Sequence, residues 1–225
     1  MPALLKLVPR PASEAPPASG PELRSRRRFA GDDAALGRAF LDREPAAREA
    51  LYARYEGHVH RVLYRVLGFR ADLADLHHDV FVRALVSLPK LEDPGALKAW
   101  LTSITVHVAH SAIASRKRRS WLWFLPSDAL PDVDAAVAPP DVRDALRATY
   151  AALEQLPADD RIAFALRYID GMELTEVAAA CDTSLTTIKR RLARAAHRFE
   201  IEARKHAALA VWLEGGARWS NLGER

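Results

Sequence analysis

Only one cysteine, Cys181, stands among the 225 residues, which excludes an internal disulfide and any zinc site built from several cysteines. The chain also lacks an uncharged apolar run approaching the roughly 18 residues that a membrane-spanning helix requires. Lys6 and Arg10 precede no sustained apolar core and no small-residue cleavage site, so no secretory signal is expected and the cytoplasm is the expected compartment. No period-two alternation of apolar and polar residues lasts beyond a few positions, which removes strands and predicts an all-α fold. Missing too are a glycine-rich phosphate loop and a pair of histidines flanking a glutamate on one helix face. His77 and His78 are adjacent and cannot converge on one ion from a helix. His107 and His110 are spaced to share a face but have no evident third ligand, so no metal and no other cofactor is expected. Asp75 and Asp79 share a helix face without companion residues of a cleft. They are better read as a binding surface than as an acid-base pair, and the chain is read as a non-enzyme.

What is present is a soluble composition, 49% apolar and 28% charged, rich enough to bury a sizeable core. The net charge of +4 is mild, and the cations are clustered. They gather at Arg26 to Arg28, at Arg116, Lys117, Arg118 and Arg119, and along Lys189 to Arg198. Between the last two groups, Asp128 to Asp144 holds five aspartates and one arginine.

Taken in order, residues 1–31 are a tail punctuated by proline, alanine and serine that buries too little to offset ordering. Asp32 or Asp33 caps a short helix ending near Leu41, and Pro45 suits the first turn of a longer one. There Leu51, Tyr55, Val59, Val62, Leu63 and Val66 recur at helical spacing until Gly68. The next helix, Leu73 to Leu88, follows Asp72 as N-cap. Leu76, Val80, Ala84, Leu85 and Leu88 form its inward face, with Asp75, His78 and Asp79 opposite. Asp93-Pro94 opens a helix with Leu97, Trp100, Leu101, Ile104 and Val108 inward, Trp100 being read as a core residue. It ends in the Arg116 to Arg119 cluster. The expected organisation is therefore two small helical domains, 32–119 and 142–205, joined by a flexible linker over 120–141 and followed by a tail at 206–225.

The most informative stretch is Gly171 to Phe199. Gly171 suits a left-handed helix stop, Leu174, Val177 and Ala178 make a short helix, and Cys181-Asp182-Thr183 interrupts it. Ser184 caps a second helix whose Ile188, Leu192 and Ala195 lie on one side. Ile162, Ala165, Leu166 and Ile169 of the preceding helix pack beneath. This pattern predicts a helix-turn-helix. Ser184, Thr186, Thr187 and Arg190 lie at the end that would enter a major groove and read bases, and Lys189, Arg191 and Arg194 are placed for phosphates.

The run from Asp72 to Ala84, the motif from Trp100 to Ile104, the basic cluster, the linker, Leu156-Pro157 and the helix-turn-helix follow one another in the order found in a known family. The chain resembles the extracytoplasmic-function sigma factors of bacterial RNA polymerase from about Asp33 to Arg204. The resemblance implies a promoter-specificity subunit, monomeric within the holoenzyme, whose partners are core RNA polymerase and promoter DNA, with an anti-sigma factor left open. By the same resemblance Asp75, Leu76, His78, Asp79 and Phe81 match the family's polymerase-docking helix. The loop from Lys90 to Gly95 would take a flipped base of the downstream element. His107, His110, Arg116, Lys117, Arg118 and Arg119 would hold the melted strand. His78 stands where glutamine is usual, and His107 and Ser111 where asparagine and aspartate are. The rival reading is an ordinary helix-turn-helix regulator whose N-terminal helices dimerise or sense a ligand.

Overall fold

The computed structural model describes residues 29, 31–68, 72–87, 91–123 and 140–209, with the backbone alone for 119–123 and 140. The expected tails, residues 69–71 and 88–90, and most of the expected linker lie outside the described residues. All regular structure described is helical: α1 (Asp33–Leu41), α2 (Pro45–Leu67), α3 (Leu73–Ser87), a 3-10 turn (Pro94–Ala96), α4 (Leu97–Trp123), α5 (Pro140–Glu154), α6 (Ala158–Phe164), α7 (Leu174–Ala180) and α8 (Leu185–Ala203). After Phe164, α6 continues as a π-helical stretch, Ala165–Asp170.

Local chemistry accounts for most boundaries. Asp32 accepts the Ala35 amide hydrogen bond at 2.7 Å and starts α1. Pro45 occupies the first turn of α2, and Gly68, at φ 75°, ends it. Asp93 accepts from Gly95 N at 2.8 Å and Pro94 follows, opening the 3-10 turn into α4. Gly171, at φ 82°, terminates the π-helical stretch in the left-handed region. Glu173 and Glu176 cap α7 reciprocally, and Ser184 accepts the Thr187 amide at 3.2 Å to start α8. Asp182 carries a positive φ of 47° in the turn between α7 and α8. Aspartate tolerates that conformation better than most residues.

In the first half, α2, α3 and α4 pack on one another and α1 lies across α2 and the 3-10 turn. Leu51, Val59, Val62, Leu63, Val66, Val80, Ala84, Leu97, Leu101 and Val108 are buried as their spacing requires. Trp100 is partly buried and meets Phe40 edge-on at 6.2 Å between ring centroids, which makes it a core residue. Two expectations for α3 change. Leu85, assigned inward, is 43% exposed, because α3 packs through Leu73, Val80, Phe81 and Ala84 and the helix turns Leu85 outward. Phe81, assigned to a docking surface, is 8% exposed, tilted against Tyr52 at 4.8 Å and His77 at 5.2 Å.

In the second half, α8 lies on α5, α6 and α7, burying Ile188, Leu192, Ala195, Phe199 and Ala203. Phe199 stacks on Phe164 at 4.8 Å. The two halves do not keep separate cores. Helix α4 packs on α6 and α7 as well as on α2 and α3, the π-helical stretch packs on α2, and the buried side chains form one continuous cluster. Helix α4 reaches Trp123, beyond the expected start of the linker, and α5 begins at Pro140.

Candidate nucleic-acid interface

The helix-turn-helix presents a one-sided second helix. Ser184, Leu185, Thr186, Lys189, Arg190, Arg194 and Arg198 are exposed while the opposite stripe is buried. Thr187 is half-buried, its hydroxyl 2.9 Å from that of Ser184, so both serve the cap. The cations divide into two groups. Lys189, Arg190 and Arg198 point to solvent. Arg191 donates to Asp159 at 3.0 Å, and Arg194 donates through Nε to Asp160 at 2.7 Å and through a second nitrogen to its other oxygen. The Asp160 side chain is fully buried, so the Arg194 fork satisfies a carboxylate that has left water. Arg191 and Arg194, assigned to phosphates on spacing, thus join α8 to α6. Leu185, 39% exposed beside Ser184 and Thr186, adds an apolar group to the leading end of α8 that the sequence reading passed over. Cys181, in the turn, is half-buried and its thiol is pushed up to about 11, mainly by desolvation, which keeps it protonated near neutral pH.

Helix α4 carries the second candidate surface. His107 is exposed and donates from Nδ1 to the Ser103 carbonyl at 2.8 Å, while Ser111 donates to the His107 carbonyl at 2.9 Å. His110 Nε2 lies 3.4 Å from Asp159 and Arg116 lies 3.1 Å from Glu154, both acids belonging to the second half. Lys117 and Arg118 are exposed, and the side chains of Lys90 and Arg119 lie outside the described residues. The structure therefore sets His110 and Arg116 beside carboxylates of α6 and α5, with His110 still exposed to solvent.

The acidic face of α3 is exposed at Asp75 and His78, with Leu76 half-buried. Asp79 is half exposed and paired with Arg83 one turn on, at 3.1 Å. Along the same face Val82 is 40% and Val86 77% exposed, extending the acidic patch into an apolar one with Leu85 beside it. Spacing alone contained this signal, since Asp75, Asp79, Val82 and Val86 follow helical periodicity. Among the described residues no group of three or more His, Cys, Asp or Glu is gathered as a metal site. No described helix is long and apolar enough to cross a membrane.

The arrangement has counterparts in known proteins. Residues 51–119 match the model of Sigma-70 region 2, and residues 146–198 match that of Sigma-70, region 4. The chain is 30% identical over 151 residues to the ECF RNA polymerase sigma factor SigX of Bacillus subtilis, an alignment covering 63% of this chain and 75% of SigX. The fold is similar to that of CnrH, solved in complex with the cytosolic domain of CnrY. There the TM-score is 0.52 at 21% identity, over 82% of this chain and 99% of the other. It is also similar to that of the sigma factor RpoE of Bartonella quintana, solved with the anti-sigma factor NepR. That comparison gives a TM-score of 0.53 at 23% identity, over 68% of this chain and 94% of the other. The two matched regions lie in the order in which the acidic helix, the basic helix and the helix-turn-helix occur, which decides between a sigma factor and an ordinary helix-turn-helix regulator. The chain belongs to the extracytoplasmic-function family of RNA polymerase sigma factors, the transcription-initiation factors that direct promoter recognition.

Proposed function

We propose that this sigma factor docks on core RNA polymerase through the exposed face of α3, reads the upstream promoter element with the leading end of α8, and holds the melted downstream strand on the cations of α4. The observation that carries the reading is the one-sided burial of α8, which leaves Thr186, Lys189 and Arg190 together on a solvent face at the start of a helix. Docking draws on Asp75, His78 and Asp79 for charge and on Val82 and Val86 for apolar contact, a negative patch with a hydrophobic border suited to a basic partner helix. Strand capture uses Arg116, Lys117 and Arg118. The chain works as a non-catalytic subunit in the cytoplasm. An anti-sigma factor is a further partner, supported by the complex in which the similar RpoE fold was solved.

The test is transcription in vitro with purified core polymerase on a promoter library, beside a pull-down on core. Asp75→Arg combined with Asp79→Arg is expected to lose core binding and transcription while the chain still binds duplex DNA. Full co-purification of that variant with core would overturn the docking assignment.

A further inference from the structure

Several polar groups along α8 are already engaged within the protein. The Ser184 oxygen accepts the Thr187 amide at 3.2 Å and lies 2.9 Å from the Thr187 hydroxyl, so both hydroxyls are committed to the cap. Arg191 is held by Asp159, and the Arg194 fork is held by the buried Asp160. Each of these groups would lose a partner inside the fold by turning toward a base. What the first turns of α8 leave in water is Leu185, Thr186, Lys189, Arg190 and Ala193. Two of the five are cations, and the other three carry methyl groups.

Helix geometry sorts these five further. At about 100° per residue, Thr186, Arg190 and Ala193 fall within about 60° of one another, on the side away from the buried line of Ile188, Leu192, Ala195 and Phe199. Leu185, 39% exposed, continues the buried line by one turn and stands at the edge of the outward face. Lys189 flanks that face, where a phosphate rather than a base is in reach. Arg190 therefore has Thr186 one turn before it and Ala193 one turn after it. His197 continues the same line about 10 Å beyond Arg190, away from the end of the helix that enters a groove.

In the major groove a guanine presents two acceptors that suit a guanidinium, and a thymine presents a C5-methyl group that suits the methyl of alanine or threonine. Resting on the reading of α8 as the element that enters the upstream promoter sequence, we propose that Thr186 and Ala193 are specificity-determining residues that read thymine methyl groups on either side of a guanine held by Arg190. Thr186 and Ala193 are separated by about 10 Å along the helix, the length of about three base-pair steps. The thymines so read lie within about two steps of the guanine, one on each side. Ala193 has a second effect, because no longer side chain at that point holds the helix away from the bases that Arg190 must reach. Each methyl contact excludes water from a small apolar area, so it discriminates by about fourfold. It releases no counterions, so that ratio is independent of salt, unlike the binding itself.

The experiment uses holoenzyme assembled from the full chain and purified core polymerase. A duplex pool randomised over the upstream element supplies the preferred sequence. Each thymine of that sequence is then replaced singly by deoxyuridine, which removes the methyl group and leaves base pairing unchanged. Competition binding is expected to show a loss of about fourfold at two thymines flanking a guanine, with the same ratio at low and at high salt. Thr186→Ser, which keeps the hydroxyl, is expected to erase the thymine-to-deoxyuridine ratio at one of the two positions, and Ala193→Gly at the other. Any general weakening of the helix by glycine cancels in that ratio, because both duplexes are measured on the same variant. Equal binding of every deoxyuridine duplex overturns the methyl reading, as does a preferred sequence with no thymine beside its guanine. A ratio that survives either substitution overturns the part given to that residue. If the pool yields no preferred sequence, or Arg190→Ala leaves the guanine preference intact, the reading of α8 itself fails and this proposal with it. A guanine preference that depends on Arg190 without any dependence on methyl groups sinks the proposal alone.

Discussion

Helices α8 and α4 both carry arginines and lysines at helical spacing, yet they stand in opposite situations. Helix α8 rests on its neighbours along one stripe and keeps Thr186, Lys189 and Arg190 in water. Helix α4 is packed between α2 and α3 on one side and α6 and α7 on the other, and Thr102, Thr105, Val106, Ala109 and Ala112 are buried beside the expected inward residues. On the first helix Lys189, Arg190 and Arg198 are available as the chain stands, while Arg191 and Arg194 are paired; on the second His110 and Arg116 already face carboxylates and Lys117 and Arg118 stay exposed. Sequence spacing describes which side chains share a face. It does not describe what lies against that face.

The comparison is broken most severely from inside α8. Phe199 is fully buried and stacked on Phe164, so Phe199→Ala is expected to cost about 3 to 5 kcal/mol in urea unfolding and to abolish upstream duplex binding. A loss below about 1 kcal/mol would mean that α8 is not held by this stripe.

Next in size is the junction that sandwiches α4. Arg161→Ala leaves the Val66 and Leu67 carbonyls without their donor in a buried site, and a loss of about 3 kcal/mol is expected in urea unfolding. The same experiment on Arg161→Lys separates charge from geometry, because an ammonium cannot reproduce the fork that reaches both oxygens. Equal stability of the lysine variant and the natural chain would argue against the fork.

A third test concerns His58, where the geometry prescribes the neutral ring. Thr102 donates to the Lys98 carbonyl at 2.8 Å, so its oxygen is left to accept from His58 Nε2 at 2.8 Å. Nδ1 then accepts from Arg61 at 2.9 Å. Burial first, then the charges of Arg61 and Lys98, lower the pKa to about 4, against the opposing pull of Asp170. Because the folded value lies below the unfolded one, the unfolded chain binds the proton first as pH falls. The contribution of neutral His58 is complete above pH 6.5, the ordinary histidine value, and is lost toward about 4. Between pH 7 and 5 the expected loss is about 2 kcal/mol, and His58→Gln is expected to flatten that slope in denaturation curves. His60, lowered mainly by burial and then by His77, acts with the same sign and leaves a residual slope. An unchanged slope in His58→Gln would place the pH dependence elsewhere.

The smallest effects sharpen the division among the cations of α8. Arg194→Ala leaves the buried Asp160 carboxylate without its fork and is expected to lower the urea midpoint of unfolding. Arg190→Ala is expected to change stability by less than about 0.5 kcal/mol. It is expected to relax preference at one or two positions of the upstream element by about 1 kcal/mol in binding to a randomised duplex. If the two variants exchange these outcomes, the assignment of Arg194 to structure and Arg190 to readout fails.

Much of this molecule was legible before any coordinates. Asp32, Pro45, Gly68, Gly171 and Ser184 each mark a helix boundary by a local mechanism that involves only a few neighbours: an amide accepted, a missing N–H, a left-handed φ. Periodicity was equally readable for α2 and for the inner stripe of α8, because a helix that packs on one side leaves a one-sided pattern. It failed at Leu85, a neighbour of the buried stripe of α3, where a rotation of a few tens of degrees exchanges inside for outside. It failed again for Arg191 and Arg194, since the carboxylates that hold them come from α6, more than thirty positions earlier.

The sequence by itself determined that the chain is helical, where most helices start and stop, that a helix-turn-helix lies near its C-terminal end, and that the chain resembles one family throughout the order of its motifs. All of these rest on interactions among residues within a turn or two of each other, or on the linear order of motifs. Only the tertiary structure decided that Tyr150 and Arg161 complete the end of α2, that Asp170 is buried between Arg61 and Arg65, and that α4 is covered on a second side. These pairings join residues about one hundred positions apart, and nothing in the spacing of either partner names the other. Their geometry is set by how two helical layers close on each other, and that closure assigns some cations to hold the fold together and others to face solvent.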